Sequence, residues 1–228
     1  MNAAGVKASA KALMGDPAEQ IVDFANSNDV DLIAMATHRG SAIARGILGS
    51  VTDRVLHSAG RPVMVVHPEN LTAFSGVEGQ PETVLVPLDG SERSASVVDL
   101  ALGVAKAVNA EVIFFRAVQV PYYGLSAVDA AYFDTGYSVS RQRVDADEYL
   151  KQFRDRAAEM GVTSRSVVAT GSVHRLLEEM KTLERPLVIM STRGESGIKR
   201  WVLGSVTDKV IRSSGLPVLV VPPADDED

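Results

Sequence analysis

One stretch of the chain combines residue types that suit phosphate binding: STRGESGIKRWVLGSVTDKV, residues 191–210. Gly194 and Gly204 allow backbone N–H groups to come close to a ligand. Ser205 and Thr207 lie at the predicted start of a helix, where free N–H groups and the positive end of the helix dipole favour an anion. One interpretation of this stretch is therefore a loop that holds phosphate groups.

The same residues also fit a purely structural interpretation. Ser205 is predicted to be the N-cap of the helix, with Asp208 as a weak capping-box partner, and Gly204 would close the turn. The S-x-x-D pattern occurs twice, at Ser50 and at Ser205. Since helix caps are common, the local pattern leaves both interpretations open.

Asp89 is a second candidate ligand contact. It lies in TVLVPLDGS, where an apolar run ends in Pro, Asp, Gly and Ser, a pattern that predicts a buried strand followed by a turn. An Asp before Gly at a strand end either makes an Asx-turn or contacts a ligand. The cations Arg193, Lys199 and Arg200 could likewise neutralise phosphates or be simply solvated.

The remaining reactive side chains form no recognisable enzyme site. The sequence contains none of the motifs G-x-x-x-x-G-K-[ST], H-E-x-x-H and G-x-S-x-G. The histidines at positions 38, 57, 67 and 174 have no metal-ligand spacing. Four tyrosines lie within residues 120–138, which fits a lid, a subunit contact or ordinary loop packing. We predict no catalytic residue and no metal site.

Alternating strands and helices would position the candidate residues. Strands are predicted in TVLVPLDGS, AEVIFFRAV, SRSVVAT, PLVIMS and PVLVV, and helices in SERSASVVDLALGVAKAVNA, RQRVDADEYLKQFRDRAAEMG, SVHRLLEEMKTL and SVTDKVIRSS. This alternation implies right-handed crossovers and a parallel sheet covered on both faces. The predicted class is α/β, with an open, mostly parallel, five-stranded, doubly wound sheet of Rossmann-like type. Such sheets bind ligands at the carboxyl ends of their strands.

An internal repeat divides the chain. Residues 47–66 and 202–221 are identical at 13 of 20 positions, including Gly, Ser, Thr, Asp and Pro positions that apolar similarity would not reproduce. A single long period of this kind indicates duplicated units. The predicted organisation is a truncated first unit at 1–68, a linker at 69–82, a complete second unit at 83–223 and an acidic tail at 224–228.

The first unit contains only the second half of the pattern. Its predicted elements are a strand at about 7–13, a helix at 17–27, a strand at 31–36, a helix at 50–58 and a strand at 62–66. Two strands and two helices have no counterpart in it. An apolar edge and face are therefore expected, which the second unit, another subunit or further residues must cover.

The composition argues against several classes of protein. The net charge of −6 disfavours nonspecific binding to nucleic acid. The absence of cysteine removes disulfides, thiolate zinc sites and cysteine nucleophiles, and fits a reducing compartment. No stretch approaches the roughly 18 apolar residues of a membrane span, and no signal peptide is evident. We expect a cytoplasmic protein without nucleic-acid or membrane partners.

Several motifs in the same order resemble the universal stress protein family. The glycine loop resembles the family pattern of Gly, two residues, Gly, nine residues, then Gly and Ser or Thr. VLVPLDGS resembles the family's first strand, and SGLPVLVV resembles its final segment. The resemblance covers essentially the whole chain, as one truncated and one complete domain, and implies the adenine nucleotide alpha hydrolase-like version of the fold.

The resemblance implies that the second unit binds ATP, together with Mg²⁺. The Asp after the first strand would lie at the adenosine, and the glycine loop would surround the phosphates. The matching positions are Pro87, Asp89, Ala117, Met190, Ser191, Gly194, Gly204, Ser205, Val206 and Thr207. Ser191 departs from the family pattern, which has Gly there, and its side chain narrows the approach of the backbone to a ligand.

The first unit departs further from the family pattern. Ala36 and Arg39 stand at the first two loop positions, and Gly40 is displaced by one residue. Since a first strand is also missing, we predict no complete nucleotide site in this unit. The resemblance further implies that the two units pair through their fifth strands, and a homo-oligomer, such as a dimer, is expected.

The sequence leaves three candidate functions open. The first is a regulatory ATP-binding module of the stress response, in which ATP hydrolysis would be slow at most because no general base is evident. The alternative is a scaffold of the same fold that does not bind ATP and acts through domain pairing and protein partners, as Ser191 and the degenerate first loop favour. An adenylate-using enzyme would need a catalytic constellation that the sequence does not display.

Overall fold

The computed structural model describes residues 7–37, 48–67, 79–118, 135–192 and 203–222, with only the backbone for 135–138. The helices in these ranges are α1 (Pro17–Ser27), α2 (Ser50–Ser58), α3 (Glu92–Ala95), α4 (Val98–Val108), α5 (Thr135–Glu159), α6 (Val173–Met180) and α7 (Ser205–Ser214). The strands are β1 (Ile33–Ala36), β2 (Val63–Val66), β3 (Thr83–Pro87), β4 (Glu111–Val118), β5 (Ser164–Thr170), β6 (Pro186–Ser191) and β7 (Val218–Val221).

All of these strands form one sheet in the order β1-β2-β7-β6-β3-β4-β5. Every neighbouring pair is parallel except β2 with β7. The predicted α/β class and the mostly parallel, doubly wound sheet are therefore confirmed. The five strands of the second unit are contiguous within this larger sheet.

Helices cover both faces of the second-unit sheet, which explains why its central strands read as continuous apolar runs. On one face, Val84 and Ile189 pack with residues of α4 and α5. On the other, Leu85 and Val188 pack with residues of α1, α2, α6 and α7. All six residues of β6 are buried.

The antiparallel pair of β2 and β7 joins the two copies of the repeat. Val63 pairs with Val220, Met64 with Leu219, and Val65 with Val218. Val63 and Val218 are equivalent positions of the repeat, as are Val65 and Val220, so this register has approximate twofold symmetry. The expected pairing of the two fifth strands is confirmed.

Polar contacts between α7 and the first unit support this pairing. Arg212 donates hydrogen bonds to Asp53 of α2, at 3.0 Å, and to Asp208 of its own helix, at 2.7 Å. The His67 ring lies between the Ile211 carbonyl, 3.0 Å from Nε2, and Thr37 Oγ1, 3.1 Å from Nδ1. Because a carbonyl only accepts, Nε2 of His67 must carry a proton.

The strand predicted at 7–13 is wrong, because residues 7–14 form no strand and are exposed. The reason lies in the strand order. In the second unit the corresponding strand, β5, has β4 as its single neighbour among the described strands. The described part of the first unit has no counterpart of β4, so residues 7–13 have no edge on which to pair.

One face of β1 is left exposed in the first unit. Ile33 is buried against α1 and α2, whereas Leu32, Ala34 and Ala36 are exposed. Their second-unit counterparts, Leu187, Ile189 and Ser191, are all buried. The described helices of the first unit lie on the other face, which accounts for the difference.

Several element boundaries differ from the predictions, most clearly in two helical segments. The helix predicted in SERSASVVDLALGVAKAVNA is divided into α3 and α4, and α5 begins before the predicted segment. By contrast, α1, α2, α7 and β5 have the predicted bounds.

Candidate functional site

A cavity of about 350 Å³ opens at the carboxyl ends of β3, β4 and β6, bounded by the first turns of α6 and α7. The chain order of the strands reverses between β3 and β6. Ligands of open α/β sheets bind at this topological switch point. The volume lies near the lower end of the roughly 300–1,000 Å³ that is typical of small-molecule pockets.

Nine of the ten sequence-predicted positions line this cavity. They are Pro87, Asp89, Ala117, Met190, Ser191, Gly204, Ser205, Val206 and Thr207. The tenth, Gly194, lies outside the described residues, as do Arg193, Lys199 and Arg200. The structure thus brings together residues from three strands and one helix, and their contact with a ligand stays a prediction.

Seven described residues of the lining were not predicted from the sequence: Leu88, Ser94, Phe115, Gly171, Ser172, Val173 and Leu176. Gly171 carries a usable signal, since it follows β5 directly and matches Gly15 of the first unit. The sequence around Phe115 and Leu176 gives no sign that they line a cavity, because it marks them only as core residues. Together with Met190 they make the floor of the cavity apolar.

The first turn of α7 forms a polar wall of the cavity. Gly204 is the N-cap, and no side chain among the described residues caps this helix. The helices α1, α3 and α6, by contrast, are capped by Asp16, Ser91 and Ser172. The N–H groups at the start of α7 therefore remain available to an anion.

The predicted capping role of Ser205 is consequently wrong. The Gly204 carbonyl accepts the first helical hydrogen bond, from the Asp208 N–H at 2.9 Å, and its backbone is extended, so Gly204 is the last residue before the helix. Ser205 already belongs to the first helical turn, where its hydroxyl does not serve as a cap. Asp208, its predicted capping-box partner, instead accepts a hydrogen bond from Arg212.

A buried hydrogen bond fixes α7 to the end of β6. Thr207 Oγ1 donates to the Ser191 carbonyl at 3.0 Å, and the two residues are only 3% and 5% exposed. The hydroxyl of Thr207 therefore has a structural role, whatever its backbone contacts. Because both residues line the cavity, this bond sets the separation between two of its walls.

Asp89 lies in a turn held by serine side chains. Its Oδ1 accepts hydrogen bonds from the Ser91 N–H at 3.0 Å and from the Ser91 hydroxyl at 2.6 Å. The Asp89 N–H donates to Ser94 Oγ at 3.3 Å. The Asx-turn that the sequence suggested is thus present, and Asp89 also lines the cavity, so the two interpretations do not exclude each other.

One residue supplies the charge of the cavity wall, since Asp89 is the only ionisable residue in the described lining. No group of three His, Asp or Glu suited to a metal ion occurs within the described ranges.

None of the described helices is long and apolar enough to span a bilayer.

The predictions for the first-unit loop and the tyrosine-rich stretch concern residues outside those that the structure describes. His38, Arg39 and Gly40 lie outside the described residues, as do Tyr122, Tyr123, Tyr132 and the side chain of Tyr137. Ala36 ends β1 at an exposed position.

Curated proteins similar to this chain are universal stress proteins. The chain is 28% identical over 200 residues to the universal stress protein Rv2005c of Mycobacterium tuberculosis, a match that covers 85% of this chain and 62% of that protein. It thus spans less than two thirds of this relative's length. It is 30% identical over 143 residues to YxiE of Bacillus subtilis, covering 60% of this chain and 97% of that protein.

Solved structures and a family model agree with these similarities. A universal stress protein from Archaeoglobus fulgidus superimposes with a TM-score of 0.71 at 23% identity, over 98% of this chain and 74% of that chain, and so shares its fold. The model of the universal stress protein family matches residues 1–67 and 81–222. The two matched segments cover most of the chain, and we conclude that it belongs to the universal stress protein family.

Proposed function

We propose that this protein binds ATP in the cavity of the second unit and that nucleotide occupancy is its regulatory state. The observation that carries the proposal is the meeting of an apolar floor with an uncapped helix N-terminus at the switch point of the sheet. The motif resemblance to the nucleotide-binding branch of the family supports the same ligand.

The described residues fit the parts of such a nucleotide. Phe115, Leu176 and Met190 offer an apolar surface suited to a base, and Asp89 is a hydrogen-bond acceptor suited to ribose hydroxyls. The first turn of α7 would hold phosphate oxygens through its N–H groups. Mg²⁺ would then be bound mainly by the phosphates and water, as is usual for this ion.

We propose a binding module rather than an efficient enzyme. Asp89 is the only ionisable residue of the described lining, and its Oδ1 already accepts two hydrogen bonds. A carboxylate engaged in this way is poorly placed to activate water, so any ATP hydrolysis is expected to be slow.

We also propose that the protein forms a homo-oligomer and lies in the cytoplasm. Exposed apolar residues occur in both units: Leu13, Met14 and Leu32 in the first, and Leu100, Val144 and Val206 in the second. Those of the first unit lie near the uncovered face of β1 in the sequence, which supports a homo-oligomer in which another subunit covers them. The lack of cysteine and the net charge of −6 support a cytoplasmic protein without nucleic-acid partners.

A second candidate function is a scaffold of the same fold that acts through protein partners without ATP. Ser191 favours it, because the family pattern has Gly at this position of the cavity wall. The pairing of β2 with β7 favours it as well, since it gives the repeated segment a structural purpose.

Calorimetric titration with ATP and Mg²⁺ distinguishes the two functions. We expect saturable binding near one site per chain, and loss of binding in the double variant Asp89→Ala, Gly204→Val. A matched control is Asp31→Ala, which removes an exposed carboxylate of the first unit and should bind like the wild type. Folding of every variant is checked by circular dichroism. An absence of binding up to millimolar ATP would favour the scaffold.

A further inference from the structure

We propose that Arg116 and Tyr149 position the Asp89–Gly90 turn for nucleotide binding. The guanidinium of Arg116 packs against both the Tyr149 ring and the Gly90 backbone, and we call this arrangement the Arg116–Tyr149 stack. The inference rests on the proposed ATP site and adds two residues that the site's own lining does not contain.

Arg116 reaches the turn from the neighbouring strand. It follows Phe115 on β4, whose carbonyl accepts the Leu88 N–H at 2.8 Å, so the strand pairing continues up to the turn. A Cβ built on Gly90 would lie 2.6 Å from Arg116 Nη2 and 3.0 Å from Cζ. The guanidinium is therefore in direct contact with the position that a side chain would occupy.

Gly90 is the flexible link in this turn. Its φ of +100° lies in a region that other residues rarely adopt, and glycine loses the most conformational freedom on ordering. The hydrogen bonds that the turn makes with described residues join Asp89 to Ser91 and Ser94 but do not involve Gly90 itself. A planar group packed on Gly90 restricts the remaining freedom of the turn.

The Tyr149 ring holds the guanidinium in place. Arg116 Cζ lies 4.6 Å from the ring centroid, within the range of a cation–π contact. Phe153 meets Tyr149 edge-on, with centroids 5.2 Å apart and planes at 76°, and contacts Phe114 in turn. The ring is thus anchored to the core between α5 and the sheet.

The contact depends on the ring and not on the phenol. Tyr149 Oη is buried and has no hydrogen-bond partner among the described residues. Ser94 lies nearby, but its hydroxyl already donates to the Ser91 carbonyl at 2.9 Å and accepts from the Asp89 N–H. Burial raises the pKa of Tyr149. The nearby Ser94 hydroxyl and the Arg116 charge act in the opposite direction, while the Asp89 charge adds to the effect of burial.

Three variants separate this role from a general structural one. Arg116→Met removes the planar cation, Tyr149→Leu removes the ring, and Tyr149→Phe keeps the ring while removing the unpartnered hydroxyl. We expect the first two to weaken ATP binding by about threefold to tenfold, the range for losing a partly exposed cation–π contact. Tyr149→Phe should bind ATP like the wild type.

Amide hydrogen exchange in the ligand-free protein provides the second measurement. In Arg116→Met and Tyr149→Leu, exchange at Gly90 and Ser91 should accelerate more than exchange at Leu85, a buried residue of β3 that reports overall stability. In Tyr149→Phe the ratio of the two rates should stay at its wild-type value.

The outcomes keep the two proposals apart. If the wild type binds ATP and Arg116→Met binds equally well, the positioning role is wrong and the ATP function stands. If the wild type does not bind ATP, the ATP function is wrong, and with it the positioning role toward a nucleotide. Equal acceleration at Gly90 and Leu85 would reduce the Arg116–Tyr149 stack to a contributor to overall stability.

Discussion

Removal of the Thr207 hydroxyl is expected to destabilise the protein and to loosen the cavity. In the variant Thr207→Val, the shape of the side chain is nearly unchanged, but the 3.0 Å hydrogen bond to the Ser191 carbonyl is lost. The bond is buried, so water cannot replace it. Because it joins α7 to the end of β6, its loss should also weaken nucleotide binding.

The magnitude follows from the burial of both partners. A buried neutral hydrogen bond contributes about 0.5–1.5 kcal/mol, and reduced pairing of the carbonyl adds to the loss, so we expect about 1–2 kcal/mol. For a chain of this size, each kcal/mol lowers the melting temperature by about 2–4 °C. The expected shift is therefore about 2–8 °C.

The repeat supplies a matched control. Thr52 occupies the position equivalent to Thr207 and is 4% exposed, but its hydroxyl shows no bond to the end of β1 among the described residues. Urea unfolding followed by circular dichroism should therefore show a clear loss for Thr207→Val and less than about 0.5 kcal/mol for Thr52→Val. Equal losses in the two variants, or none in either, would refute the reasoning.

Three further predictions concern other parts of the fold. Gly90→Ala should lower the free energy of unfolding by about 1–3 kcal/mol, because Gly90 has a positive φ and contacts the Arg116 guanidinium. Gly103→Ala, on α4 with open space around it, should raise the free energy of unfolding by about 0.5–1 kcal/mol. Thermal unfolding measures both changes. Hydrogen bonds from Arg154 and Ser166 hold the pKa of Asp147 below its usual value of 3.8. The Asp147 carboxylate therefore stabilises the folded protein above pH 3.8, and this stabilisation is lost as the pH falls through the lower pKa of the folded state. Below about pH 4, the urea midpoint of unfolding should therefore fall less steeply with pH in Asp147→Asn than in the wild type. The same pH dependence in both proteins would contradict this prediction. A double-mutant cycle with Asp53→Asn and Arg212→Gln should give a coupling of about 0.5 kcal/mol that decreases in 1 M salt, and a coupling insensitive to salt would argue against an ion pair.

Elements with a strong apolar period were predictable from the sequence alone. The bounds of α2 and α7 follow from helical spacing between a glycine and a serine-rich end, and β5 follows from its β-branched residues between a Met-Gly turn and Gly171. The cavity was predictable in outline for the same reason. Strands ending in Pro87 and Ser191 bring their carboxyl ends to one edge of a parallel sheet.

Features that depend on a distant partner were not predictable in this way. A segment such as 7–13 becomes a strand only beside another strand, and the described first unit lacks the one it would need. Gly204 and Ser205 are both acceptable caps by residue type, and only the structure shows that the Gly204 carbonyl accepts the first helical hydrogen bond. The Arg116–Tyr149 stack joins β4 to α5 and leaves no local signal in either segment.

The antiparallel pair of β2 and β7 also affects how the chain can tolerate mutation. In a symmetric homodimer, one interface substitution appears twice, once in each subunit. Here Val63 and Val218 occupy equivalent positions but are encoded separately, so a change at Val63 meets an unchanged Val220. The two halves can therefore diverge one residue at a time. Met64 and Leu219, equivalent positions that face each other at the centre of the pair, already differ.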